Sequence, residues 1–129
     1  MAQKIVLVDT SLLIDLFRRK DKKNAFLVSL VEQGYTYCIS AVTNYEIYRG
    51  ASLGQETFWS TLLGKIIVLP FDESASRTAA AIAAALKRKN KQIAAPDLFI
   101  AATAISNNLP LATLNKKHFE QIEELQLVK

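Results

Sequence analysis

Ile5-Val6-Leu7-Val8-Asp9-Thr10-Ser11-Leu12-Leu13-Ile14 is the stretch that decides the fold. Four consecutive apolar residues, mostly β-branched, read as a strand buried on both faces, as in the middle of a parallel sheet. A carboxylate and two hydroxyls follow at once, and the apolar pattern resumes at Leu12 with no Gly or Pro between. A strand that passes directly into a helix leaves its last carboxylate at the C-terminal edge of the sheet. Open α/β folds bind their ligands at that edge. Asp9 is therefore the first candidate site residue.

Outward from this stretch the same alternation repeats. Helical spacing of apolar residues predicts helices over 11–18 and 22–33, from Ser40 or Thr43 through Arg49, and over 56–63. Asp72 is a good N-cap for a long alanine-rich helix to Lys89, and Pro96 a first-turn proline for a helix over 97–106. A short helix is expected over 116–123. Strands are predicted at 35–39, 66–69, 111–113 and 125–128. Strands separated by helices in this way define a three-layer α/β/α domain over 1–129, with a mostly parallel sheet of about five strands.

Composition narrows the function. The chain has 129 residues, half of them apolar and 22% charged, which is enough for a real core and too short for two domains. No apolar run approaches the roughly 20 residues needed to span a bilayer. The N-terminus lacks the pattern of a signal peptide. One cysteine, Cys38, excludes an intrachain disulfide and a cysteine metal cluster. A reducing, cytoplasmic setting with no membrane follows. The net charge is +4, with basic runs at Arg18-Arg19-Lys20-Asp21-Lys22-Lys23 and Lys87-Arg88-Lys89-Asn90-Lys91. Such runs serve either as solvated helix ends or as contacts to a polyanion.

Three carboxylates share a setting that the other acids lack. Asp9 ends the first strand, Glu46 lies in the helix after the second, and Asp97 sits in the first turn opened by Pro96. Strand ends and helix starts lie on one edge of a parallel sheet, so all three can converge. Each also has an ordinary reading. Asp9 can cap its helix, Glu46 can pair with Arg49, and Asp97 can be a dipole-stabilised first-turn acid. Together, in apolar surroundings, they call for a compensating cation, and all-oxygen ligands favour Mg²⁺ or Mn²⁺ over Zn²⁺. His118, the only histidine, reads as a structural or surface residue. No phosphate-binding glycine loop, Ser-His-Asp set or dinucleotide fingerprint is present.

The sequence resembles the PIN-domain ribonucleases, and among them the VapC-type toxins of prokaryotic toxin–antitoxin pairs. The resemblance is carried by Val8-Asp9-Thr10-Ser11, Thr43-Asn44-Tyr45-Glu46-Ile47, Asp97-Leu98-Phe99-Ile100-Ala101-Ala102, and Leu111-Ala112-Thr113-Leu114-Asn115 followed by Lys116-Lys117-His118-Phe119. These segments run over most of the chain in the family's order. The resemblance implies a metal-dependent endoribonuclease whose acidic cluster is Asp9, Glu46 and Asp97. The fourth polar position, often aspartate in the family, is Asn115 here, which removes a formal charge and weakens a second metal site. Asp9, Asp97 and Glu46 would hold Mg²⁺ or Mn²⁺, with Glu46 orienting the attacking water and Asn115 a water or phosphate oxygen.

The same resemblance implies a cognate antitoxin and a homodimer as partners, beside RNA. Phe17, Tyr45, Tyr48, Phe58 and Trp59 look exposed, and although Trp59 taken alone reads as core, a few of the five are more than the core must absorb and so are material for a helix-in-groove interface. Two alternatives stay open at this point. One is a non-catalytic RNA-binding or scaffold module, and the other a structure-specific DNA nuclease.

Overall fold

In the computed structural model, which describes residues 4–129, four strands form one sheet. They are β1 (Lys4–Val8), β2 (Tyr35–Ser40), β3 (Ile67–Leu69) and β4 (Leu111–Ala112). All pairings are parallel and the spatial order is β3-β2-β1-β4. Residues 1–3 of the expected domain lie outside the described residues. Seven helices connect and cover the strands: α1 (Thr10–Arg18), α2 (Phe26–Glu32), α3 (Ala41–Gly50), α4 (Glu56–Leu63), α5 (Glu73–Arg88), α6 (Ala95–Ser106) and α7 (Lys116–Phe119).

Alternation along the strands builds two cores. Val6 and Val8 point to one face, where they meet Leu12, Leu30, Ile47 and Trp59 from α1 to α4. Leu7 points to the other face, with Cys38 and Leu111, against Ile82, Ile100 and Phe119 from α5 to α7. Successive side chains on a strand face opposite ways, so a sheet with helices on both faces needs unbroken apolar runs. Val6–Val8 supplies one, whereas Ile5, expected to be buried with them, is 38% exposed at the start of the strand. The expected three-layer α/β/α architecture is present.

Strand order fixes where a ligand can bind. From β1 the chain winds outward through β2 to β3, then crosses back to place β4 on the other side of β1. The order reverses between β1 and β4, and crevices in open α/β sheets form at that switch, beyond the strands' carboxyl ends. Leu7 pairs with Leu111 and Val8 with Ala112. The Asp9 N–H donates to the Ala112 carbonyl at 3.1 Å, continuing the ladder. The segments leaving β1 and β4 therefore start side by side.

Several expectations are corrected. The strand predicted at 125–128 shrinks to one parallel bridge, Leu111 with Leu127. Its partner β4 has only two residues, so little ladder is available, while Leu125 turns inward to the core. The helix predicted over 22–33 is split: residues 22–24 form a 3₁₀ turn, and α2 starts only after Ala25, whose extended backbone ends that turn. The helix predicted to reach 123 stops at Phe119, because Ile122 and Leu125 must both reach the core beside it. β3 is an edge strand rather than a buried one, with Ile67 66% exposed.

The aromatic surface is smaller than expected. Phe17, Phe58 and Trp59 pack on one another with ring centroids 5.1 Å apart, and Trp59 is buried. Only Tyr45 and Tyr48 of the five remain exposed. Among the described residues, no helix is long and apolar enough to cross a membrane.

Candidate active site

Asp9 is the fixed point of the site. Its extended backbone caps α1, and its side chain is 3% exposed. Oδ1 accepts from the Ser11 N–H at 3.0 Å and from the Ser11 hydroxyl, while Oδ2 accepts from the Thr113 hydroxyl at 2.5 Å. Asp9 therefore caps α1 and also lines the hollow described below. Thr113 leaves β4, accepts the Asn115 N–H at 2.9 Å, and ties the two switch-point segments together. The Ser11 hydroxyl adds a second tie by accepting the Leu114 N–H at 3.0 Å.

Burial raises the Asp9 carboxyl above its ordinary value, and the bonds from Ser11, Thr113 and Leu12 offset this only in part. All these donors are neutral. No cationic side chain pairs with Asp9 among the described ion pairs. A buried carboxylate left without a counter-charge is an unfavourable arrangement unless something positive arrives.

Glu46 and Asp97 come to the same hollow from other elements. Ser40 caps α3 by accepting the Thr43 N–H at 3.1 Å, which sets the turn that presents Glu46. Glu46 Oε1 accepts the Thr10 hydroxyl at 2.7 Å, and the described ion pairs do not include one with Arg49. Pro96 stands in the first turn of α6, so Asp97 also lies where the helix dipole favours an anion. Asp97 Oδ2 lies 3.2 Å from His118 Nδ1.

A hollow of about 480 Å³ is lined by all four predicted residues, Asp9, Glu46, Asp97 and Asn115. Among its other lining residues, Arg18 comes from the first basic run, whereas Asp15 and His118 were not singled out as site residues by sequence reasoning. Asp15 is one helical turn beyond Ser11 and receives Arg19 Nε at 3.0 Å. The spacing from Ser11 to Asp15 to Arg18 was the available signal for one helix face. The hollow therefore carries four carboxylates against one arginine and one histidine.

An all-oxygen, net-negative donor set suits a hard divalent cation. Yet among the described residues no three His, Cys, Asp or Glu side chains are gathered closely enough to hold one ion directly. Each of the four carboxylates has its own partner: Asp9 has Ser11 and Thr113, Glu46 has Thr10, Asp97 has His118, and Asp15 has Arg19. Mg²⁺ commonly uses one or two carboxylates and retains several waters, so this spread still fits it.

The basic runs are only partly free. Lys22 Nζ donates to the carbonyls of Leu16, Phe17 and Arg19 at 2.9, 3.0 and 3.2 Å, closing the end of α1. Arg19 is held by Asp15, and Lys89 by Glu123 at 2.6 Å. Cys38 is buried in the core, away from the hollow's lining, and burial pushes its thiol up to about 11.

The chain matches the model of the PIN domain family over residues 6–125. It is 36% identical to ribonuclease VapC1 of Methanocaldococcus jannaschii over 131 residues, covering 95% of this chain and 84% of that protein. It is 33% identical to ribonuclease VapC10 of Mycobacterium tuberculosis, covering 95% of this chain and 91% of that protein. Among solved structures, DNA-bound VapBC from Salmonella typhimurium superposes with a TM-score of 0.85 at 26% identity, covering 98% of both chains. The chain belongs to the PIN-domain family, on its VapC-type branch.

Proposed function

We propose that this protein is a metal-dependent endoribonuclease, acting as the toxin of a toxin–antitoxin pair in the cytoplasm. The observation that carries the reading is one hollow at the switch point of a PIN-family sheet, lined by Asp9, Glu46, Asp97 and Asn115. VapC relatives are named ribonucleases, which supports an RNA substrate, and a toxin–antitoxin complex from Klebsiella pneumoniae is among the solved structures that resemble this chain, which supports an antitoxin partner. A homodimer is part of the same reading.

Asp9 and Asp97 would hold Mg²⁺ or Mn²⁺, with Glu46 completing the site directly or through water. The ion, when bound, would lower the pKa of water and offset charge developing on phosphoryl oxygens. The chain's own residues supply the rest. Ser11 and Thr113 keep the Asp9 carboxylate aimed into the hollow, and Thr10 holds Glu46 where its free oxygen can accept a proton from attacking water. Asn115, a neutral donor and acceptor at the mouth, positions a water or a phosphate oxygen. In-line attack leaves a 5′-phosphate and a 3′-hydroxyl.

The test is cleavage of a labelled single-stranded RNA by wild type, D9N, E46Q and D97N, with thermal shifts recorded against Mg²⁺ and Mn²⁺. Wild type should cleave only with metal and should be stabilised by it. D9N and D97N should lose both responses while remaining folded. Metal-dependent cleavage that persists undiminished in D9N would sink the assignment. RNA binding indifferent to both metal and D9N would instead make this a non-catalytic module. A DNA oligonucleotide in the same assay separates the two nuclease classes.

A further inference from the structure

The segment Thr113–His118 is a ridge with a hollow on each side. One is the acidic cleft. The other, about 450 Å³, is lined by Phe26 and Leu114, by Lys116 and Lys117, and by Asn115 and His118. Leu114, Asn115 and His118 belong to both. We infer that this second hollow is a nucleobase subsite, taking a base of the RNA strand beside the phosphate held in the acidic cleft; the inference rests on the nuclease reading above.

The two hollows are opposite in charge. Four carboxylates line the first, whereas the second has no carboxylate and presents two lysines. Neither lysine belongs to a described ion pair. A polyanion is repelled by the first hollow alone, so cationic groups on the adjoining ridge give its neighbouring phosphates a partner. Beside the polar Thr113, Asn115 and His118, its apolar surface comes from Leu114 and the aromatic Phe26. Leu114 is 48% exposed, and Phe26 is half-buried, packed on one side against the core and bordering the hollow. An aromatic surface beside lysines is the combination by which proteins hold single-stranded nucleic acid, through base stacking and backbone contacts. The volume lies within the range of small-ligand sites, about 300–1,000 Å³.

A peptide helix is the weaker match. It asks for a long apolar groove with anchors at helical spacing, and here the apolar floor is two side chains behind a cationic rim. The larger basic hollow between α5 and α6, beside Lys87 and Lys91, shares no residue with the acidic cleft. It cannot serve a nucleotide adjacent to the reacting one in the same way.

The test reads binding rather than cleavage. Fluorescence anisotropy follows a labelled, unstructured RNA oligonucleotide carrying 5-iodouridine, in Mg²⁺, with all variants in the E46Q background. F26L should bind about 5- to 150-fold more weakly, the equivalent of one lost base–aromatic stack. F26W should restore affinity, with circular dichroism confirming that both variants fold. K116A/K117A should flatten the salt dependence of log K by about 1.4, at roughly 0.7 per phosphate contact on a single strand. Photocrosslinking should join the iodouridine to the peptide containing Phe26. Unchanged affinity in F26L together with an unchanged salt slope in K116A/K117A overturns the inference. So does loss of antitoxin binding in these variants with RNA binding intact, which assigns the hollow to protein. Phe26-dependent RNA binding by a wild-type protein that cleaves nothing would sink the nuclease reading and leave the subsite standing.

Discussion

Replacing Thr113 by valine tests whether the buried Asp9 carboxylate is held by a specific donor or merely by its surroundings. Thr113 is buried, and its hydroxyl donates to Asp9 and accepts from the Asn115 N–H. Valine keeps the shape and removes both bonds. A bond to a charged group contributes about 1.5–3 kcal/mol. The Asn115 N–H lies in an exposed residue, where water can replace the lost acceptor. The added methyl returns about 0.8 kcal/mol through burial. The net loss is about 1–2 kcal/mol. For 129 residues the unfolding entropy is about 0.27 kcal/mol/K, so Tm should fall by about 4–7 °C.

The diagnostic is the double-mutant cycle with D9N, measured by urea and thermal unfolding in EDTA at neutral pH. In the D9N background the bond is no longer charge-assisted, so T113V should cost only about 0–1 kcal/mol. T113S, which keeps the hydroxyl, should recover the charge-assisted part. The pH dependence has a definite sign. Losing a donor to the charged form raises the Asp9 carboxyl further in the folded state. That penalty is complete above the variant's folded value and vanishes as pH falls below the wild type's folded value. The T113V deficit should therefore shrink in acid. An equal cost of T113V in both backgrounds, or a deficit independent of pH, would refute the assignment of Thr113 to Asp9.

Three further outcomes are expected. In EDTA at neutral pH, D9N should be as stable as wild type or more so, by up to about 2 kcal/mol. Burial outweighs the hydrogen bonds on Asp9, and the difference should disappear as wild-type Asp9 protonates; scanning calorimetry across pH reads this directly. F119A should lose about 3–5 kcal/mol in urea titrations, because Phe119 is wholly buried and anchors α7 beneath the Asn115–His118 segment. K22M should lower stability by about 1 kcal/mol, since Lys22 closes α1 and lies 5.9 and 5.8 Å from the Phe17 and Phe58 ring centroids. It should leave the salt dependence of RNA binding unchanged, as an RNA-contacting lysine would not.

What could be read beforehand was whatever local pattern encodes. The apolar run into Asp9 specified a central strand and a sheet-edge carboxylate, and Asp72, Pro96 and the alanine-rich face specified α5 and α6 nearly to the residue. What escaped depended on neighbours. A run such as Ile66–Leu69 looks the same in the middle of a sheet or at its edge until strand order is known. Leu125–Val128 could pair only as far as a two-residue partner allowed. Asp15 has nothing in its local sequence to set it apart from other helix acids, and His118 reads as a structural or surface residue. Their place in the cleft comes from how α1 and α7 pack beside β1 and β4, which periodicity does not contain. The lysines were the subtlest case. Charge was visible, but whether Lys22 faces RNA or the end of its own helix is decided by three carbonyl oxygens five or so residues back in the chain.

The division of labour within the acidic cleft follows from which element carries each carboxylate. Asp9 stands where β1 becomes α1 and is bonded to α1 and to the exit of β4, so it has little freedom to move. Glu46 and Asp97 project from two separate helices, are half-buried, and are each held by a hydroxyl or an imidazole that can exchange partners. On the proposed metal-dependent reading, one rigid acid and two adjustable ones would let the cleft keep its carboxylates apart when their charges are unopposed and draw them in around a cation. The cost of burying Asp9 is then part of the affinity for that cation: relieving an unfavourable charge on binding adds to the bonds formed. On this account a substitution that stabilises the metal-free fold at Asp9 must weaken metal binding by at least what it gains, so the two measurements on D9N are linked rather than independent.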